Sequence, residues 1–291
     1  MARWFGGKSR KANKRARTPG AAERTGPSTE SGSGEPLAGP RADARKLLDE
    51  DPLTAADALR LGYGRTGDPA MLLAAVKAME LAKDRYPADD PQRASPLSGL
   101  CMLCRLRWQR ERDPQLLRQA VEYGRQAVAV AWTGDPEMGR HLAALGTALE
   151  ETFRHGDRLE DIDEAVAVHR HCLDVIPLDH PDRLGQESNL ANALVLRGVA
   201  GADLALLEEG LERTRTALRD TPADDPAHPA RLANVAAALA AMALTGSPHH
   251  LAEAQALYEQ ALREFPPGHP ARAGIEGAVR NIRKLRQSRG I

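Results

Sequence analysis

From about Arg41 onward, apolar residues recur at helical spacing, with polar and charged residues between them. The pattern is itself repeated. A proline or its equivalent stands at Pro87, Trp132, Pro177, Pro222 and Pro266, in steps of 45, 45, 45 and 44 residues. Fifteen residues before each lies Leu72, Leu117, Ile162, Leu207 or Leu251. Twelve before lies Ala75, Ala120, Ala165, Gly210 or Ala254, and five before lies Ala82, Ala127, Cys172, Ala217 or Ala261. The class is the same in all five units: aliphatic, small, small. Offsets of three and seven share one helical face. They predict helices near 69–86, 114–131, 159–176, 204–221 and 248–265. Asp68-Pro69, Asp113-Pro114 and Ser247-Pro248 supply a capping side chain before a first-turn proline, and the far proline stops the helix.

A second family of helices interleaves. It opens at Pro91, Pro136, Pro181, Pro226 and Pro270, each preceded by Asp or His. Nine residues on comes Leu100, Leu145, Leu190, Val235 or Val279. The next residue is Cys101, Gly146, Ala191 or Ala236, but Arg280 in the last unit. A charge where a neighbour should pack marks a terminal helix, so 271–288 is expected to cap the array with a polar face. The remaining members are expected near 92–110, 137–155, 182–199 and 227–244. Asp51-Pro52 introduces a further helix near 53–65, with a less clear phase. Residues 1–40, rich in Pro, Gly, Ser and Thr after Thr18, are expected to be a disordered basic tail, and 41–291 the repeat domain.

Alternating helices with small residues at fixed offsets and a closing proline resemble the tetratricopeptide repeat (TPR). Leu145-Gly146, Ala165 and Pro177 stand in that family's order. The unit is 45 residues here against about 34 in the family. The longer unit looks like that of bacterial arrays, often fused to caspase-like peptidase or signalling ATPase domains, and no segment here reads as one. The resemblance spans roughly residues 53–288. It implies an all-α, right-handed superhelical solenoid of five to six helix pairs, with the first helix of each pair lining a concave groove. Groove candidates on that footing are Met102, Arg105, Arg140, Thr147, Glu150, Ser188 and Asn192. Some members clamp a partner's terminal carboxylate with Asn, Lys and Arg. Here Ser188, Gly274 and Ala278 stand at the neighbouring positions, so no clamp is expected. Asn189 and Asn234 are expected to hydrogen-bond between adjacent helices.

Composition fits thin helical seams better than a broad core. Aromatics are 3% of residues, and the apolar content is mostly Ala, Leu and Val. Three cysteines give no even disulfide framework, and no apolar run reaches the length of a spanning helix. A cytoplasmic location is the expectation. Net charge is zero, but residues 1–40 hold eight Lys or Arg against three acids, so the remainder carries −5. Such an arm could meet an anionic surface.

Chemical motifs are few. Gly6-Gly7-Lys8-Ser9 ends like a phosphate loop, but Ala2 stands where its first glycine is needed. Cys101 and Cys104 form a CxxC inside a helix with no second ligand pair, which favours packing over zinc. His169 and His171 point to different faces, and the acids between Asp157 and Glu164 suit a helix start. No catalytic, cofactor or metal residue is assigned. The reading is therefore a non-enzymatic scaffold or adaptor that binds a protein or peptide in its groove. The alternatives are a regulatory sensor for a small ligand or peptide, and an anionic-surface binder for nucleic acid or membrane through the basic arm and Arg280, Arg283, Lys284 and Arg286.

Overall fold

The computed structural model describes residues 48–290. The expected tail and the Gly6–Ser9 motif lie outside them. After a short helical segment at 48–50, eleven α-helices follow in two alternating series, with no strand among the described residues. The A series is α1 (Pro52–Thr66), α3 (Ala94–Glu111), α5 (Met138–Gly156), α7 (Arg183–Gly201), α9 (His228–Leu244) and α11 (Ala271–Arg289). The B series is α2 (Pro69–Asp84), α4 (Pro114–Val130), α6 (Leu159–Val175), α8 (Leu204–Arg219) and α10 (His250–Glu264). Each A helix packs on the B helix that follows it, giving five hairpins closed by α11.

Two kinds of loop recur, each with its own chemistry. Within the first four hairpins the A helix ends in a left-handed residue at Gly67, Arg112, Asp157 and Ala202, each 45 residues after the last. That conformation turns the chain at once into the B helix. The next residue then caps in three of the four: Asp68 accepts from the Ala70 N–H at 2.9 Å, Asp113 from Gln115 at 2.9 Å and Asp203 from Leu206 at 3.2 Å. Gly67-Asp68-Pro69 and Arg112-Asp113-Pro114 are thus equivalent, which sets α1 in phase with the rest.

Between hairpins the turn is also invariant. The carbonyls of Pro87, Trp132, Pro177, Pro222 and Pro266 accept from the N–H three residues on, at 3.0 to 3.1 Å. The donor residues, Asp90, Asp135, His180, Asp225 and His269, then use their side chains as acceptors. Asp90, Asp135 and Asp225 accept from the N–H two residues ahead, at 2.8, 2.9 and 2.7 Å. His180 and His269 do the same through Nδ1, at 3.1 and 3.2 Å. The regular A helix starts only after this turn, as with α3 at Ala94, which follows a single 3₁₀ turn over Pro91–Arg93.

The repeat positions are buried because each fills the same seam. Leu72, Leu117, Ile162, Leu207 and Leu251 are at most 3% exposed, and Ala75, Ala120, Ala165 and Ala254 are fully covered. At Gly210 the fit is closer: a Cβ would lie 2.8 Å from Val195 Cγ2 and 3.1 Å from the Ala191 carbonyl oxygen. Small residues here let helices approach, and burying the aliphatic ones stabilises each seam by roughly 1.5–3 kcal/mol per side chain.

Successive A helices touch: α3 meets α5, α5 meets α7, and α7 meets α9, while no pair of successive B helices comes comparably close. The A layer is therefore the tighter one and lies on the inside of the curve. This is the architecture of a TPR-like α-solenoid, in which each hairpin contacts only its near neighbours. No helix of the described residues is long and apolar enough to cross a membrane.

Candidate interaction surface on the inner helices

The inner surface consists of those A-helix residues left half-exposed between one hairpin and the next. Met102, Thr147, Asn192, Ala237 and Asn281 stand at one position of successive A helices. All five are half-exposed, and their chemistry changes at every step. The Thr147 hydroxyl donates to the Ala143 carbonyl of its own helix at 2.7 Å. Asn192 makes no side-chain hydrogen bond among the described residues, which leaves its amide available on the face.

Arg105 and Glu151 bridge α3 and α5 across this surface at 3.2 Å, with side chains 20% and 14% exposed. Arg140 is exposed. It donates to Ser95 Oγ at 2.9 Å and pairs with Glu137 at 2.7 Å. The N-terminal part of the face is therefore charged. Toward the C-terminus it becomes small and neutral, with Ala230, Ala233 and Ala237 on α9.

Two of the seven groove candidates lie beneath the surface. Glu150 is 4% exposed and is held by His169 Nε2 at 3.0 Å and Arg154 at 2.9 Å. Its carboxylate faces α6, the B helix of its own hairpin, because Gly146, one turn earlier, leaves room for the His169 ring. Ser188 is 3% exposed; its hydroxyl donates to the Leu184 carbonyl at 3.1 Å and accepts from Arg231 at 2.6 Å. Neither offers a free polar group to a partner. The expected inter-helix bonds of Asn189 and Asn234 are also absent. Asn189 donates to Gln186 in its own helix at 3.0 Å, and Asn234 makes no side-chain hydrogen bond among the described residues, because both project along the open face and not into a seam.

The groups with chemical potential are enclosed. Ser98, His141 and Asp135 lie in line, with Ser98 Oγ 2.6 Å from His141 Nδ1 and Asp135 Oδ2 3.5 Å from His141 Nε2. The set resembles a nucleophile, base and orienting acid, but each is buried and the serine has no open side for a substrate. Burial, helped by Arg140, holds His141 below its usual range, with Asp135 and Glu137 opposing. Cys101, Cys104 and Cys172 are free and buried. Burial pushes their thiols up to about 12, about 11 and about 11, so they stay protonated and inert. Cys101 and Cys172 donate to the Ala144 and Gly139 carbonyls at 3.4 and 3.2 Å. Among the described residues no cluster of His, Cys, Asp or Glu could hold a metal ion. In α11, Arg283 pairs with Glu259 at 2.6 Å and Arg286 donates to Gln255 at 3.0 Å, so two of the set Arg280, Arg283, Lys284 and Arg286 are engaged within the array.

No family model matches the chain, and no curated protein does. Solved structures that it resembles include a Podosopora anserina chain, assigned as a kinesin light chain, with nearly identical TPR-like repeats. Identity is 20%, coverage is 73% of this chain and 95% of that one, and the TM-score is 0.49. A single-substitution form of that protein gives 18%, 74%, 99% and 0.49.

Proposed function

We propose that the chain is a non-enzymatic interaction scaffold whose inner A-helix face receives an extended protein or peptide segment. The observation that carries this reading is the contrast along that face: a regular backbone frame presents Met102, Thr147, Asn192, Ala237 and Asn281 in sequence, each chemically different from the last. A surface built from repeated parts but varied at one aligned position is suited to reading successive side chains of a partner. Arg105, Glu151 and Arg140 add a charged end, which would fix the direction in which the segment lies.

The full chain carrying Thr147→Lys and Asn192→Lys should lose partners that the unaltered protein retains from its native cell. Glu208→Lys on the outer face should retain them, and helix content should be the same in all three. Retention of the same partners by the inner-face variant would overturn the reading.

A further inference from the structure

Four of the five inter-hairpin turns open on proline, and the remaining one opens on Trp132. Its indole is 48% exposed. It walls a cleft of about 300 Å³ where the turns of the first hairpins converge at the N-terminal edge of the array. Tyr86 supplies a second ring, and Asp51 and Glu137 supply open carboxylates, while Asp135 also lines the cleft but is buried beside His141. Arg85 is the one cation among the lining residues. Its guanidinium already donates to the backbone carbonyls of Glu50, at 2.8 Å, and Asp49. Hydrogen bonding from Thr54 holds the Asp51 carboxyl below the usual range, so it is charged at neutral pH. Asp135 accepts from the Glu137 N–H at 2.9 Å, and Glu137 pairs with Arg140. An indole face flanked by carboxylates is a seat for a guanidinium or ammonium group.

We propose that this cleft seats the chain's own basic N-terminal arm, with a Lys or Arg from the 8–17 run set against Trp132 between the carboxylates. Three facts favour this occupant. Residues 1–47 hold eleven Lys or Arg and four acids, a net +7, so residues 48–291 carry −7. The arm joins the described chain at residue 48, three residues from Asp51 in the cleft wall. The thirty residues between Arg17 and position 48 can span up to about 100 Å when extended, so reach is not limiting. A tethered group also competes at an effective concentration on the order of millimolar, which a separate basic peptide would have to exceed. This inference concerns the edge of the array and is independent of the inner-face reading.

Zero-length carbodiimide coupling of the full chain, followed by peptide mapping of the monomer band, tests it. Lys8, Lys11 or Lys14 should join Asp51 or Glu137 within one chain. Those links should be lost in the Trp132→Ala chain and at 1 M salt, where the screening length falls to about 3 Å. A second measurement needs no change to the fold. In the full chain with Trp4→Phe and Trp108→Phe, replacing Lys8, Arg10, Lys11, Lys14, Arg15 and Arg17 by Gln should raise quenching of Trp132 fluorescence by acrylamide. Links scattered over outer-face acids such as Asp163 and Glu208, links formed only between chains, or quenching unmoved by the arm substitutions would each overturn the proposal.

Discussion

The outer and inner faces of the array are built from the same helices but obey different rules. On the outer face the B helices are joined by a ladder of ion pairs. Arg125 meets Glu164 at 2.9 Å, Arg170 meets Glu209 at 3.0 Å, and Arg215 meets Glu253 at 3.2 Å. The arginines are 45 residues apart, and the glutamates 45 and 44 apart. From α4 to α10, Arg and Glu therefore keep the period that the buried leucines keep. Inside, the aligned position runs Met, Thr, Asn, Ala, Asn. The contacts between inner helices are equally individual: Arg105 with Glu151, Arg140 with Ser95, Arg231 with Ser188. The frame repeats and the inner lining does not, so the lining is the part of the molecule free to encode a partner.

If the frame and the lining are separable, substitutions in the frame should cost stability and those in the lining should not. The largest expected effect is at Gly146, where a Cβ would lie 2.5 Å from the buried His169 ring. Gly146→Ala should cost about 1–3 kcal/mol in denaturant unfolding, because the ring is pinned to Glu150 and cannot yield cheaply. Thr147→Ala, one residue away on the half-exposed face, should stay within about 0.5 kcal/mol. Equal losses at the two positions would erase the distinction.

The seam between α3 and α5 adds a pH dependence to the frame. His141 is held neutral by burial, with its pKa depressed, whereas the unfolded imidazole titrates near 6.5. The unfolded chain therefore binds the extra proton first. Stability from this site should be complete above about pH 6.5 and fall as pH drops below that value, by at most about 1.4 kcal/mol per pH unit. Melts between pH 7.5 and 5 should show the slope, and His141→Asn should reduce it.

Two smaller effects probe the repeated loops and the ladder. Ala202 holds a φ of 50° where the first hairpin has Gly67, so Ala202→Gly should raise stability by up to about 1 kcal/mol despite the added freedom of the unfolded chain. Arg170→Gln should cost only about 0.2–1 kcal/mol, with the loss shrinking as salt is added. A double-mutant cycle with Glu209→Gln isolates the pair. A coupling near zero would reduce the ladder to a surface pattern without energetic weight.

The fold was legible because its determinants recur. A seam that needs an aliphatic residue and two small ones every 45 residues writes that need into the sequence five times, and Leu72 through Leu251 are buried accordingly. The lining was much less legible. Whether an A-helix position faces the open side or its B-helix partner depends on a rotation of a few tens of degrees. Glu150 and Thr147 are three residues apart, yet one is sealed against His169 and the other half-open. Polar residues carry no mark of that difference, since Glu150 alone reads as a surface charge. The ladder was missed for a related reason. Its partners lie 38 or 39 residues apart, so each reads as an ordinary charge on a solvated helix. Its mark in the sequence is the recurrence of Arg125, Arg170 and Arg215 at the repeat spacing. Trp132 was visible only as a substitute for proline; the carboxylates around its cleft come from separate segments of chain.

Contacts confined to near neighbours also have a mechanical meaning. A globular domain pulled from its ends resists as one body, whereas a stack of hairpins can be peeled from a terminus, each exposing only its own seam. With units of 45 residues, a stretched molecule should lengthen in near-equal steps of about 150 Å, the extended length of one unit. The array is in that sense a spring with discrete coils, able to give up one coil under tension while the rest remain wound.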